Sequence, residues 1–535
     1  MTKRFIAMWF VVWLGFLVAI HMWRNWGYAI DDSYITYRYA SNLAEGAGLT
    51  FNPGERHYGS TAMGMAILLA GVARGVSSVA NTLGFPGLPV LSPGQLVPAI
   101  ATIVSAVSLA LVCTVWYGIV RRTQSAILVW AVFLLLTVYV FAAYPGNYVS
   151  GHETYPFVAL LFLGSYVAVF QSRPLVAGTI LAGATALRPD GALFAMVLVG
   201  WLAVFDSSAL GLRGAWRRAW QLSAGYLALG IPWVVFLWFY FGTPVPATML
   251  AKKAQVLMGY WPLFSIGTIV PTLMRHLPVS AICLGSIAVA GASASAYRLT
   301  RRSSPSPVPA EQEWLHQYVL VWATFCILLV LTYKVLRVTF WEWYVYPVHF
   351  GALFLAIPGA LVLAAAWRFL RRRHRGVALA LVLAPAGLFV AADAGEFARM
   401  AIDLVRLRNS NPHTSSYDSV VEYLKRQEPA GVSVATAEPG GLGYKLGPMY
   451  YVIDQLGLTS PGVAKSIVDG DADYVFRRWK PAYVVHAWDG SYNMSSRPWF
   501  LDRYELEREF AHPYWTRGLG RGVRLYVSKD LKAAH

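Results

Sequence analysis

Two adjacent carboxylates, Asp31 and Asp32, directly follow the first apolar run of the chain. Acidic side chains at the mouth of a membrane helix are costly unless they are solvated, paired or bound to a metal. One interpretation is structural: Asp32 or Ser33 caps a helix that runs to Leu43, and the other acid interacts favourably with the helix dipole. A capped helix also holds a carboxylate rigidly, as a general base requires, so a catalytic interpretation is compatible with the structural one.

Aromatic side chains follow the acids in the same stretch, where Tyr34, Tyr37 and Tyr39 surround Arg38. Tyrosines are common in the aromatic belts at membrane interfaces, and they also line carbohydrate sites. The pattern favours neither interpretation over the other.

A second polar stretch carries Glu55 and His57, just after an Asn-Pro-Gly turn. Together with Asp31 and Asp32 they are hard or borderline ligands, the types that bind a divalent metal. The spacing fixes no metal site, so a divalent metal is compatible with the sequence but is not required by it.

The composition indicates what kind of elements must position these groups. Of 535 residues, 57% are apolar and 13% are charged, whereas soluble domains average about 25% charged. The apolar residues form many long runs, so we predict a polytopic α-helical membrane protein. The three cysteines all lie inside apolar runs, which argues against a disulfide framework or a zinc cluster.

The net charge of +17 is placed in short clusters between the apolar runs. This is what the positive-inside rule produces, so the charge does not indicate a nucleic-acid partner. Eleven membrane spans place these basic clusters on the cytoplasmic side of the membrane. We interpret the first span as a retained membrane anchor with a cytoplasmic N-terminus. The predicted spans are 5–22, 98–120, 125–143, 154–171, 174–188, 191–205, 219–241, 278–297, 316–333, 345–369 and 376–394.

An odd number of spans places the C-terminal segment outside the cytoplasm. A further span at Ser60–Gly84 would put Arg121 and Arg122 on the wrong side, so we predict that 31–97 is a long first outer loop with helices on the membrane surface. Membrane-embedded residues 1–394 would then form one module and residues 395–535 a small extracytoplasmic α/β domain. Strand-like runs at 431–437, 450–453, 483–486 and 522–527 alternate with a helical stretch at 416–426.

The run DDSYITYRYASNLAEGAGLTFNPGERHYGST at 31–61 resembles the first outer loop of bacterial polyprenyl-phosphate-sugar glycosyltransferases of the GT-C superfamily. The nearest likeness is to the mycobacterial terminal arabinofuranosyltransferase group. Supporting pieces follow in order: SGHET at 150–154, LRPDG at 187–191, FGTPVPAT at 241–248 with Lys252 after it, GLGY at 441–444 and IDQLGLT at 453–459. Two positions depart from the family pattern: position 152 is His where we expect Leu or Met, and position 247 is Ala where we expect Asn.

The resemblance implies a GT-C-like fold in the plasma membrane and transfer of a sugar, with arabinofuranose as the best match, to an extracytoplasmic glycan, lipid or protein. Asp31 or Asp32 would be the base. Outer cations would bind the donor phosphate; these are Arg188, Lys252, Lys253 and Arg337. Each could instead snorkel to lipid headgroups. Candidates for binding the sugar or acceptor are Tyr34, Arg38, Glu55, His57, His152, Glu153, Asp190, Glu342 and Tyr344. Glu153 and Asp190 could equally pair with the cations, and the segment at 341–344 could be an aromatic belt. The C-terminal domain would help to bind the acceptor, or act as a stabilising cap.

Other classes of function are compatible with parts of the pattern. A transporter or flippase for lipid-linked sugars needs ionisable groups inside the spans, whereas here the span interiors are nearly free of them and the outer ends are rich in them. A GT-C enzyme with a hexose donor such as mannose would also fit, as would a non-catalytic assembly or sensor subunit in which the domain beyond residue 395 does the binding.

Overall fold

The computed structural model describes the greater part of the chain in separate ranges. These are residues 3–26, 29–83, 92–120, 151–205, 207–259, 263–265, 267–269, 271, 313–339, 341–344, 346–348, 350–351, 412–486, 497–510 and 522–534. The predicted spans at 125–143, 278–297 and 376–394, and nearly all of 345–369, lie outside these ranges, as does the predicted domain boundary at 394.

A helix occurs at each of the other predicted spans, and three further helices lie in the predicted outer segments at 31–44, 63–83 and 248–257. In chain order the helices are α1 (Lys3–Asn25), α2 (Asp31–Ala44), α3 (Met63–Leu83), α4 (Pro93–Val120), α5 (Thr154–Phe170), α6 (Pro174–Leu187), α7 (Asp190–Phe205), α8 (Ser207–Phe241), α9 (Thr248–Leu257) and α10 (Glu313–Val335). A short 3-10 turn follows at Glu342–Tyr344. Within α8, the positive φ of 70° at Gly211 separates a short basic segment from the apolar helix, because glycine adopts this backbone conformation without steric cost.

Four of the described helices are long and apolar enough to cross a membrane, at 63–83, 93–119, 211–241 and 317–335. Shorter apolar helices lie at 7–23, 154–170, 174–187 and 190–204. Helix α3 is therefore long and apolar enough to cross a membrane, as α4 is. Its assignment to the membrane surface stays a prediction, as does the total of eleven spans.

The helix that carries the acidic pair is buried, with most of its residues from Ser33 to Ala44 covered by α3, α4 and the C-terminal domain. Its predicted end near Leu43 is confirmed, but the predicted cap is wrong. The N-cap residue is Ile30, and neither Asp32 nor Ser33 makes a capping hydrogen bond to this helix. The physical reason is that the helix begins at Asp31, so both acids already lie in its first turn.

The C-terminal part contains a five-stranded mixed sheet, which confirms a small α/β unit. Its strands are β1 (Ser433–Thr436), β2 (Tyr451–Asp454), β3 (Tyr483–His486), β4 (Tyr504–Phe510) and β5 (Val523–Ser528), in the order β2-β1-β3-β5-β4. Its helices are α11 (Pro412–Gln427), α12 (Pro439–Leu446), α13 (Val463–Val468), α14 (Tyr474–Arg478), α15 (Phe500–Arg503) and α16 (Lys529–Ala534). Strand β1 pairs in parallel with β2 and β3, while β5 runs antiparallel to β3 and β4.

Four of these strands lie where the apolar runs predict them. Strand β4 was not predicted, because its sequence YELEREF is rich in charge and much of it is exposed at the edge of the sheet. Edge strands commonly carry charged side chains, which discourage pairing with another chain. Helix α12 follows β1 and packs directly on α2, so the sheet is tied to the acidic pair.

Candidate functional site

Asp31 binds the C-terminal domain. One carboxylate oxygen accepts the backbone N–H of Gly441 at 2.6 Å, and the other accepts that of Gly440 at 3.1 Å. These amides belong to the first turn of α12, so Asp31 does cap a helix, but one more than 400 positions later in the chain. A Cβ on Gly440 would lie 1.9 Å from the backbone oxygen of Asp31, so only glycine permits this approach. Burial, and next the charge of Glu438, raise the pKa of the Asp31 carboxyl, while the two amides lower it.

Arg38 lies two turns further along the same face of α2. Its guanidinium donates to the carbonyl oxygens of Phe51 at 2.7 Å and Tyr450 at 2.8 Å, to the carbonyl of Gly443 and to Oδ1 of Asn52 at 3.2 Å. Arg38 was predicted to bind sugar or acceptor. In the structure its donors are used to join the first loop to the C-terminal domain.

Other side chains of the first loop reinforce this junction. Asn52 donates to the carbonyl of Val452 at 2.9 Å and accepts its N–H at 3.0 Å, so the Asn52 amide extends the edge of β2. Tyr451 donates its hydroxyl to Glu55. The ring of Tyr34 packs 5.3 Å from that of Tyr444. Glu55 and Tyr34, predicted to bind sugar or acceptor, therefore lie at the domain junction.

Asp32 faces a different direction from Asp31, as adjacent helical residues must. Among the residues that the structure describes, its carboxylate has neither a hydrogen bond nor an ion pair within 4 Å. Burial raises the pKa of Asp32, and the positive charge of Lys252 lowers it in part. The acidic pair is thus divided: one carboxylate is held by backbone amides and the other has no direct partner within the described part of the chain.

Lys252 lies on α9, which the first loop holds through a hydrogen bond from the N–H of Ala247 to the carbonyl of Tyr58 at 2.8 Å. Burial lowers the pKa of Lys252, while the charges of Asp32 and Asp454 raise it. Its ammonium lies 4.9 Å from the ring centroid of Trp341. A half-buried cation beside Asp32 and an aromatic face suits an anionic ligand.

Lys252, Asp32 and Trp341 form one cluster, and Arg188 is the centre of a second, buried one. It donates to Asp190 at 3.0 and 3.2 Å and to the Tyr333 hydroxyl at 3.3 Å, and lies 3.8 Å from Glu153. Tyr333 donates in turn to Asp190 at 2.6 Å. Glu153 and Asp190 therefore both pair with Arg188, which is one of the two alternatives that we predicted for these acids. Burial raises the pKa of Glu153 to about 7, against the lowering effect of Arg188.

His152 completes this cluster as a neutral side chain. Burial, and next the charge of Arg188, lower its pKa to about 3. Its Nδ1 lies 2.8 Å from the hydroxyl of Thr154 and 3.1 Å from Glu153, and its ring lies 6.0 Å from that of Trp343. With its pKa lowered in this way, the imidazole carries no charge, so its 3.1 Å contact with Glu153 is not an ion pair.

Tyr344 connects the two clusters. Its ring centroid lies 5.7 Å from the Arg188 guanidinium carbon and 5.0 Å from the Tyr333 ring. The charge of Asp32 contributes to raising the pKa of Tyr344, after burial. The ring of Trp343 lies 6.2 Å from that of Tyr344 and 4.9 Å from that of Trp341, which Lys252 faces, so aromatic rings join the Arg188 cluster to Lys252.

The remaining predicted site residues are Lys253, Arg337, Glu342 and His57. Lys253 and Arg337 are exposed. Glu342 lies in the 3-10 turn, and its side chain is outside the described part of the structure. Burial lowers the pKa of His57, whereas its hydrogen bond with the backbone of Leu458 and the charge of Glu55 raise it. Within the described ranges, Nε2 of His57 has no hydrogen-bond partner.

The four residues proposed as metal ligands do not converge. Asp31 binds α12, and Glu55 accepts hydrogen bonds from Tyr451 and Asn52. Among the described residues, no group of three or more His, Cys, Asp or Glu side chains is arranged to hold a metal ion. Asp31 and Glu55 thus make contacts with different parts of the protein in this structure.

The sequence did not single out Tyr333 or Gln455 as site residues. Tyr333 lies inside a predicted span, where an isolated tyrosine carries no distinctive signal. Gln455 is buried, and in the part of the chain that the structure describes neither polar atom of its side-chain amide has a hydrogen-bond partner. It follows Asp454, whose carboxylate accepts the N–H groups of Leu456 and Thr459 at 2.8 Å. The only sequence signal for Gln455 was that it lies in the family-like segment IDQLGLT at 453–459.

Comparison with known proteins places the fold. Residues 406–526 match the model of a family described as a domain of unknown function, DUF8728. Among curated proteins no sequence matches this chain. In structure the chain is similar to the oligosaccharyltransferase of Archaeoglobus fulgidus tethered with an acceptor peptide, with a TM-score of 0.50, 12% identity and coverage of 90% of this chain and 69% of that one.

A second structure gives the same result. Oligosaccharyltransferase AglB of Archaeoglobus fulgidus, in complex with an inhibitory peptide and a dolichol-phosphate, matches with a TM-score of 0.53 at 11% identity, over 90% of this chain and 70% of that one. The chain therefore shares its overall fold with these two structures. The predicted combination of apolar helices with a small C-terminal α/β unit is confirmed at the level of the fold.

Proposed function

We propose that this chain is a membrane glycosyltransferase of the GT-C type, which moves a sugar from a polyprenyl-phosphate donor to an acceptor hydroxyl on the extracytoplasmic side. The observation that carries the proposal is the division of the acidic pair. Asp31 is held by two amides of α12, while Asp32 has no direct partner among the described residues and lies in the field of Lys252. A base must be rigidly placed and yet free to take a proton.

The chemistry follows from these positions. As the acceptor oxygen forms a bond to the anomeric carbon, its proton passes to the carboxylate of Asp32. The bond from that carbon to the phosphate oxygen breaks, and the phosphate keeps the electron pair. Burial raises the pKa of Asp32, which makes it a stronger base than an exposed aspartate.

The leaving phosphate needs a cation, and Lys252 is the one we propose. Its charge acts on Asp32 and it is half-buried, so its attraction for an anion is less screened than at the surface. Arg188 is already paired with Asp190 and Glu153, and we propose that it organises the sugar side of the site. Lys253 and Arg337 are exposed and would act only at the entrance.

The donor sugar is proposed to be arabinofuranose, from the resemblance of the first loop. A lipid-phosphate donor is supported by the similar structure that holds a dolichol-phosphate. The acceptor is proposed to be a glycan, lipid or protein of the cell envelope.

The test compares two isosteric variants of the full chain in nanodiscs. Polyprenyl-phosphate arabinofuranose and polyprenyl-phosphate mannose are supplied with hydroxyl acceptors, and transfer is measured by mass spectrometry. Asp32→Asn removes the base and is expected to lower kcat by about 10²–10⁴-fold with little change in Tm. Asp31→Asn is the matched control: it weakens the capping of α12, so it is expected to lower Tm while measurable transfer persists.

Unchanged transfer in Asp32→Asn would rule out the base. Turnover of the mannose donor alone would keep the GT-C reaction and reject arabinofuranose. Movement of intact donor across a liposome membrane, without transfer, would favour the flippase alternative.

A further inference from the structure

Helix α8, which contains one of the predicted spans, is longer than the apolar part of a membrane is thick. Its regular part, Gly211–Phe241, has 31 residues and would be about 46 Å long, whereas the hydrocarbon core of a bilayer is about 30 Å thick. A straight helix of this length would fit inside the core only at a tilt of about 50°, and membrane helices tilt by up to about 40°. As a span, α8 therefore projects beyond the core.

The arginines of α8 identify the end that projects. All charged side chains of the regular part lie near its start, at Arg213, Arg217 and Arg218, and the rest of the helix at 219–241 carries none. A charged side chain is costly in the hydrocarbon core. The segment at 211–218 therefore lies at the level of the lipid headgroups.

The protein holds one side of this segment in place. Arg218 donates a hydrogen bond to the carbonyl of Ala168 at 2.7 Å, near the end of α5. Ala215 and Ala219, on the side that packs against the protein, are buried. The start of α8 is thus fixed against its neighbours, so the side chains on its opposite side are presented in a defined arrangement.

The opposite side combines arginines with tryptophans. Arg213 and Arg217 are exposed and lie one helical turn apart, as do Trp216 and Trp220, which are 63% and 68% exposed. Arg173 is also exposed, in the turn that follows α5 at the same end of the helices. Within the described ranges none of these three arginines forms an ion pair with an acidic side chain. The surface thus carries positive charge that the described protein does not neutralise.

The chemistry of this surface matches the headgroup of an anionic phospholipid. A guanidinium donates two parallel hydrogen bonds to phosphate oxygens, and indole rings favour the interface between lipid and water. The headgroup of a zwitterionic lipid carries a positive charge of its own, which opposes the approach of the arginines. An anionic headgroup has no such charge, and a cation at its surface is attracted to it. Because the helix is already fixed, little ordering is needed on binding.

We propose that this surface, the basic face (Arg173, Arg213, Trp216, Arg217 and Trp220), binds headgroups of anionic phospholipids in the surrounding bilayer. The predicted topology puts this end of α8 on the cytoplasmic side, the leaflet in which anionic lipids give a negative surface potential. The inference is independent of the proposed glycosyltransferase reaction, because it uses none of the residues of the candidate site.

The test titrates the purified full chain in detergent with dioleoyl-phosphatidylglycerol or with dioleoyl-phosphatidylcholine, and bound lipid is measured by native mass spectrometry. Arg213→Gln/Arg217→Gln is expected to weaken binding of phosphatidylglycerol about 25-fold, since each arginine near an anionic surface contributes about fivefold. Binding of phosphatidylcholine should stay unchanged. The matched control, Lys425→Gln/Arg426→Gln, removes two exposed positive charges from α11 and should change neither affinity.

Variants that conserve the charge separate lipid binding from folding. Arg213→Lys/Arg217→Lys should keep most of the affinity for phosphatidylglycerol, and equal losses in the lysine and glutamine variants would overturn the role of charge. The single variants Arg213→Gln and Arg217→Gln, at about fivefold each, test the same point if the double variant does not fold. Unchanged affinity for phosphatidylglycerol in the glutamine variants, or an equal loss of affinity for phosphatidylcholine, would overturn the proposal.

Discussion

Replacement of Arg38 by alanine tests whether this residue fastens the C-terminal domain to the first loop. Arg38 is buried and donates four hydrogen bonds, to Phe51, Asn52, Gly443 and Tyr450. At about 1.5 kcal/mol for each charged hydrogen bond, the four would contribute about 6 kcal/mol. Relaxation and solvation of the freed carbonyl groups reduce this, so we expect docking to weaken by about 3–5 kcal/mol, the range for removing one partner from a buried charged contact.

The docking of the C-terminal domain on the first loop can be measured by hydrogen exchange at individual backbone amides. The N–H groups of Gly440 and Gly441 bind Asp31, and that of Val452 binds Asn52, so all three are protected only while the domain is docked. A loss of 3–5 kcal/mol corresponds to exchange that is about 100- to 4,000-fold faster. The measurement is made on the full chain in nanodiscs by mass spectrometry.

Two controls separate undocking from unfolding. Amides that pair β3 with β5, at Val484 and Tyr526, should keep their protection in Arg38→Ala, because those hydrogen bonds lie within the sheet. Arg508→Ala removes an exposed arginine of the same sheet and should change neither set. Unchanged exchange at the junction amides of Arg38→Ala, or equal loss throughout the sheet, would refute this reasoning.

Further predictions concern the base, the close approach of α12 and the Arg188 cluster. Since burial raises the pKa of Asp32 above its usual 3.8 and only the carboxylate accepts a proton, kcat/KM should fall as pH drops through this raised pKa; a pH profile that stays flat down to pH 4 would contradict this. Gly440→Ala should lower Tm and expose the junction to proteolysis, because its Cβ would lie 1.9 Å from the α2 backbone, whereas Gly71→Ala has open space and should be neutral or stabilising. Tyr333→Phe should cost about 1 kcal/mol of unfolding free energy by removing the 2.6 Å bond to Asp190; an unchanged Tm in thermal unfolding would show that the bond contributes nothing.

Much of the architecture could be predicted from local patterns. Long apolar runs indicated the helices, because a membrane helix must present apolar side chains all along its length. The strands β1, β2, β3 and β5 were predicted for a similar reason, since each is a short apolar run between turns. Strand β4 was missed because a charged edge strand lacks that pattern.

The roles within the first loop could not be predicted in the same way. The sequence identified Asp31 and Asp32 as one acidic pair, and helical geometry only says that they point in different directions. Which of them stays free of direct contacts, and whether Arg38 meets a ligand or the protein itself, depends on α12 and β2, which lie some 400 positions later in the chain. A local pattern holds no information about such a distant partner, because a buried charge is satisfied by whatever group the fold brings against it.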